Sequence, residues 1–104
     1  MLHQDFSHKN IIYHYSIMNK YLVEFAGTFF LMFIILTLGE ALPIGLALTI
    51  AIMLGGKISG GHFNPAVSVA MFMGKKITHK DTILYIVSQI VGAVSALELV
   101  KHVK

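Results

Sequence analysis

From Phe25 to Leu38 no residue carries a charge and almost every side chain is apolar. Two further runs of this kind follow, Pro43 to Gly56 and Thr82 to Val100, the last broken only by Glu98. About 20 apolar residues in a row match a hydrocarbon core of about 30 Å. Inside such a core every backbone N–H and C=O must find its partner within the protein, so a spanning run is a helix. These runs predict an all-α membrane protein. Composition agrees: 56% of residues are hydrophobic and 12% charged, against roughly 25% charged in a soluble domain.

The first span is expected over about residues 20–38, the second over 43–58 and the third over 82–100. Residues 1–18 read as a flexible or interfacial leader, ahead of one membrane domain over 19–104. A cleaved signal peptide is the alternative for the first run, with Thr37 and Gly39 as small residues for cleavage. The length of the run and the embedded Glu24 argue against it. Pro43 suits the first turn of the second helix, where its missing N–H costs nothing. Ala47, Ala51 and Gly55 recur every four residues, as do Ser88, Gly92 and Ala96. Each set makes a helix face that another backbone can approach closely.

The chain has no cysteine, which excludes disulfides and thiolate metal sites. His3, His8 and His14 show no regular ligand spacing, so no metal site and no cofactor is expected. All eight basic residues are lysines, and they sit at the ends of the apolar runs. That placement sets orientation in a bilayer and does not suit nucleic-acid binding. No activated nucleophile or acid/base carboxylate pair points to an enzyme.

One stretch breaks the pattern: Ser59-Gly60-Gly61-His62-Phe63-Asn64-Pro65-Ala66-Val67-Ser68. Asn64-Pro65 is a helix start, since Asn is a favoured N-cap and Pro is preorganised at the first helical position. The apolar residues up to Met73 then give about nine helical residues, or roughly 13 Å. That is too short to span and reaches about halfway. Gly60 and Gly61 permit backbone angles closed to other residues. The backbone before Asn64 would hold carbonyls that no helix pairs. In lipid each would cost several kcal/mol, so this segment must be buried in protein or line a wet cavity. Lining a cavity would make it a ladder of acceptors ending at the partial positive charge of a helix start. A purely structural re-entrant hairpin, or a loop outside the membrane, is the alternative.

These residues resemble the first half of an aquaporin, a member of the major intrinsic protein family. The likeness is carried by Glu24-Phe25-Ala26-Gly27-Thr28-Phe29, Gly45-Leu46-Ala47, the stretch Ile58 to Ser68, Tyr85-Ile86 and Gln89-Ile90-Val91-Gly92-Ala93. It covers about residues 20–100. It implies three spans and one re-entrant half-helix over 59–73, half of an inverted repeat. It also implies roles. Asn64, Pro65 and Ala66 match the family's signature tripeptide, whose asparagine donates to water at mid-channel. Gly60, Gly61 and His62 would offer carbonyls to the pore. Glu24 would hold the loop by accepting backbone hydrogen bonds; a snorkelling interface residue is the alternative. Gln89 would help to hold it; a plain interhelical hydrogen bond is the alternative. Ile44, twenty residues before Asn64, falls at the second-span constriction position. An aliphatic residue there implies a different, less selective mouth.

The family pattern has six spans and two half-helices, and this sequence carries one set. The second tripeptide and the arginine after it have no counterpart, and Val67 follows Ala66. A pore therefore needs the lipid bilayer and a second half, either a separate half-channel chain or another copy inserted the other way. A higher oligomer of the family's kind stays open. The family's topology puts the N-terminus, the half-helix loop and Lys9, Lys20, Lys57, Lys75, Lys76 and Lys80 in the cytoplasm, with Lys101 and Lys104 outside. Six against two is a positive-inside bias, which disfavours the inverted copy. The function expected is passive passage of water or small neutral solutes such as glycerol. The rival is a non-conducting membrane interaction protein, or a channel remnant that modulates full-length relatives.

Overall fold

The computed structural model describes the backbone of residues 2–103 and the side chains of residues 19–103. The leader expected over 1–18, with His3, His8 and His14, lies outside the residues whose side chains are described. Four helices follow in chain order: α1 Leu2–Thr37, α2 Ala41–Ser59, α3 Pro65–Met73 and α4 His79–Val103. Three stretches are long and apolar enough to cross a membrane: Asn19–Thr37 in α1, and all of α2 and α4. The nine-residue α3 is the half-helix.

α1 ends where Gly39, at φ +65°, donates its N–H to the Ile34 carbonyl at 3.2 Å. Glycine meets that left-handed angle without strain. α2 starts two residues before Pro43, so the proline is its third residue and still sits among the N–H groups that no helix bond needs. α4 also starts earlier than residue 82. Thr78 caps it, its Oγ1 accepting from Asp81 N–H at 3.1 Å. At this same end Asp81 accepts from Lys20 Nζ and from the Tyr21 hydroxyl, both at 2.6 Å, which ties α4 to α1.

α1 lies at the centre, packed along both α2 and α4, and α3 rests on α4. The small-residue faces decide these contacts. Ala47, Ala51 and Gly55 are the buried face of α2, and a Cβ on Gly55 would lie 2.5 Å from Val23 Cγ1 of α1. On α4, Gly92 and Ala96 are buried. A Cβ on Gly92 would lie 2.5 Å from the Phe25 carbonyl oxygen and 3.2 Å from Phe29 N. Those atoms are helix backbone and cannot turn aside. Gly92→Ala is therefore expected to force α1 and α4 apart at a cost of about 1–3 kcal/mol. Gly45 has nothing within 4 Å of the corresponding position, so Gly45→Ala is the control. Thermal melts in detergent should show a lower midpoint for the first variant and an equal or higher one for the second.

Candidate functional site

The break between α2 and α3 is built from angles that few residues adopt. Gly60 closes α2 at φ +90°, its N–H donating to the Gly56 carbonyl at 2.8 Å. Gly61 follows at φ +67° and Phe63 at φ +53°. The two glycines take these values without cost, but Phe63 does not. Something must hold Phe63 there. Its ring is 3% exposed and fills the space that Gly27 of α1 leaves by having no side chain. Its N–H donates to Glu24 Oε1 at 2.8 Å.

Glu24 is the hub of the site, with no exposed surface. Its Oε2 accepts from Ser59 Oγ at 2.7 Å and His62 N–H at 3.0 Å. Its Oε1 accepts from Phe63 N–H and, at 2.7 Å, from Gln89 Nε2. Four donors from α2, the loop and α4 converge on one side chain of α1. Two of them are loop backbone groups that would otherwise be orphaned.

A second layer fixes the donors. Ser68, fully buried on α3, accepts from Gln89 Nε2 at 2.9 Å and lies 2.8 Å from His62 Nδ1. The Ser68 hydroxyl and His62 Nδ1 share that contact, with the donor set by the imidazole tautomer. The Tyr85 hydroxyl donates to the Ser59 carbonyl at 2.6 Å, and its ring stands edge-on to His62 at 5.0 Å between centroids. Gly61 N–H donates to Ser59 Oγ at 3.1 Å.

The outcome is a sidedness. The N–H groups of Gly60, Gly61, His62 and Phe63 are all taken. Among the described residues no hydrogen bond ends on the carbonyls of Gly60, Gly61 or His62. Asn64 caps α3, its Oδ1 accepting from Ala66 N–H at 2.8 Å. That bond turns its amide NH2 away from the helix start, on an exposed residue.

The structure thus brings Gly60, Gly61, His62, Asn64, Pro65 and Ala66 together with Glu24 and Gln89. Ile44 stands apart, half-buried in the first turn of α2, at the end of the bundle opposite the α2–loop junction. Sequence reasoning assigned no role to Ser59, Ser68, Tyr85 or the Gly27–Phe63 pair. A signal did exist: Tyr85 and Gln89 are one helical turn apart, as are Asn64 and Ser68, so each pair shares a face. Among the described residues no three His, Asp or Glu side chains come together to hold a metal ion.

Three helices long and apolar enough to cross a membrane, with a nine-residue half-helix between the second and third, define an integral membrane protein. Residues 36–104 match the sequence profile of the major intrinsic protein family. The chain is 47% identical over 93 residues to glycerol uptake facilitator protein-like 6 of Lactiplantibacillus plantarum, covering 81% of this chain and 43% of that protein. It is 44% identical over 95 residues to aquaporin Z of Brucella melitensis, covering 76% and 41%. A probable TIP-type aquaporin of Medicago truncatula is 40% identical over 74 residues, covering 62% and 30%. The chain belongs to the major intrinsic protein family, and it spans less than half the length of these relatives.

Proposed function

We propose that this chain is one half of a membrane channel for water or small neutral solutes such as glycerol, conducting passively once a second half faces it. One observation carries the reading. In the loop from Gly60 to His62 every N–H is tied inward, and the carbonyls accept nothing among the described residues. Such backbone is tolerable at membrane depth only beside protein or water. Beside water it forms a row of acceptors that a hydroxylated solute can follow in single file. At the end of the row Asn64 offers its free amide as donor, at the positive end of α3. A water there is held by its oxygen, and the half-helix field opposes cations, the device aquaporin-type pores are described as using. The names of these relatives, a glycerol uptake facilitator-like protein and an aquaporin, support glycerol and water as the solute classes.

Orientation follows from charge. The end of the bundle where α1's membrane segment begins, α2 and α3 end and α4 begins carries Lys20, Lys57, Lys75, Lys76 and Lys80 against Asp81. The opposite end carries Glu40, Glu98 and Lys101. The positive end is the cytoplasmic one. Ile44 would then line the outer mouth, where an aliphatic side chain leaves the opening without a hydrogen-bonding partner. The same bias favours a separate second half over an inverted copy as the facing unit.

Stopped-flow shrinkage of reconstituted vesicles tests the reading. The chain should give water or glycerol flux when paired with a polypeptide carrying the complementary half of a relative. Asn64→Asp should cut that flux at least tenfold, since a carboxylate at the pore centre replaces the donor with a charge. Flux no greater than that of empty vesicles, in every pairing, would sink the channel.

A further inference from the structure

The turn between α3 and α4 holds a lysine at a backbone angle that suits glycine. α3 ends in a Schellman motif: Lys75 N–H donates to the Phe72 carbonyl at 2.9 Å and Lys76 N–H to the Met71 carbonyl at 2.8 Å. That motif needs one residue in the left-handed region, ordinarily glycine. Here Lys75 takes it, at φ +60°, while Gly74 stands one position earlier at φ −82°, which any residue adopts. A lysine kept at a disfavoured angle points to a use for its charge. Lys76 and Lys80 are exposed, as are Lys75 itself and Lys57 at the same end of the bundle. None of the four forms an ion pair among the described residues. The sequence has five acidic residues. Glu24 is buried under the loop, and Glu40 lies at the other end of the bundle. Asp81, next to Lys80, is held by Lys20 and Tyr21, and Glu98 is paired with Lys101. Asp5 lies outside the residues whose side chains are described.

We propose that the turn from Gly74 to Lys80 is a docking surface for anionic phospholipid headgroups, with Lys75, Lys76 and Lys80 meeting the lipid phosphates. The α4 span begins at His79, so the turn lies at the level of the headgroups. Charge complementarity supplies the attraction: each lysine near an anionic leaflet strengthens association about fivefold. Met73, beside the turn, is 73% exposed. An apolar side chain next to three lysines suits the boundary between headgroups and acyl chains better than it suits a dissolved anion. The docking also supports the half-helix. Of the other helices α3 packs on α4 alone, so headgroups that hold Lys75 and Lys76 give its end a second anchor. A lysine that serves only the negative end of the α3 dipole explains one charge there. It does not explain a strained lysine followed by two more. The surface does not depend on whether the chain conducts.

Spin-labelled lipids in vesicles holding the full chain test it. Traces of spin-labelled phosphatidylglycerol or phosphatidylcholine, added to phosphatidylcholine vesicles, report the fraction of each lipid immobilised at the protein. Phosphatidylglycerol should be preferred by at least about threefold, and the preference should weaken as salt is raised. Changing Lys75, Lys76 and Lys80 together to Gln should remove most of it, and Lys101→Gln at the other end should leave it. Inorganic phosphate, at matched ionic strength, should compete no better than chloride. Lys75→Gly separates charge from strain, because it relieves the left-handed angle and removes the ammonium. It should raise the melting midpoint in phosphatidylcholine, and raise it less or lower it in phosphatidylglycerol. Four results would overturn the proposal: equal immobilisation of the two lipids, a preference that survives the triple change, specific competition by phosphate, or a Lys75→Gly gain that is the same in both lipids. The third means a site for a free anion, and the fourth that Lys75 serves only α3. If the triple variant fails to fold, the unaltered chain and Lys75→Gly still decide.

Discussion

Glu24→Ala should leave this chain unable to hold its loop, with the largest loss of stability of any single change in the site. The substitution strands four donors at once: Ser59 Oγ, His62 N–H, Phe63 N–H and Gln89 Nε2. Each buried donor without an acceptor costs about 1–3 kcal/mol. In lipid the two backbone groups have no water to turn to. The sum is comparable to the whole stability of an ordinary domain, about 5–15 kcal/mol. Glu24→Gln separates the acceptor role from mere size. It keeps one oxygen, so it serves two of the donors and presents an NH2 to the others, at a cost of about 2–6 kcal/mol. Hydrogen exchange is the sharpest readout. The His62 and Phe63 amides should be strongly protected in the unaltered chain, weakly in Glu24→Gln and not at all in Glu24→Ala. Paired flux should fall in the same order. Protection at both amides that survives Glu24→Ala would mean that the carboxylate does not hold the loop.

The reason for such a hub lies in what the loop must do. A helix satisfies its own backbone, but Gly60 to Phe63 cannot. The N–H side is handed to Glu24 and Ser59, and the carbonyl side is left over. A polar cluster that is fully bonded can be rigid at membrane depth, where a half-bonded one would be costly. Fully bonded describes Glu24 and Ser68. It does not describe Gln89, whose Oε1 has no partner among the described residues.

Much of this is legible in the sequence. The spans follow from run length alone, because lipid leaves the backbone only one way to cross. The half-helix follows from Asn64-Pro65 and from the short distance to Gly74, which closes α3. The boundaries were less legible. α4 starts at His79 because Thr78 caps it, and a capping threonine beside lysines looks like part of a polar hinge. Within the site, Glu24 and Gln89 stood out because a polar residue in an apolar run must have a reason. Ser68 and Ser59 did not, because a lone serine in a helix can bond to its own backbone and needs no partner. Phe63 was hidden for a different reason. An aromatic residue in a greasy chain looks like ordinary packing, and nothing in the local sequence shows that its φ is positive. The complementary glycine lies far off in the chain, at Gly27, and only the crossing of α1 past the loop reveals the fit.

That fit yields the second large effect. A Cβ at Gly27 would fall well inside contact distance of Cε1, Cδ1 and Cζ of Phe63. A ring at the end of a side chain can often swing clear, but this one is confined. Its backbone is pinned by the bond to Glu24, and the residue is only 3% exposed. The strain must therefore pass into the backbone, and the next residue is Asn64. Gly27→Ala should cost about 1–3 kcal/mol by overpacking. It should also lower paired flux by more than that loss of folded protein explains, because Asn64 moves. Phe63→Leu in the Gly27→Ala background removes ring atoms where the methyl was added, so it should recover part of both losses. The same Phe63→Leu change in the unaltered chain should be destabilising, since it opens a void against Gly27. Opposite signs for one substitution in two backgrounds measure the Gly27–Phe63 coupling directly. Additive effects in melting and flux would mean that the ring does not set the position of Asn64.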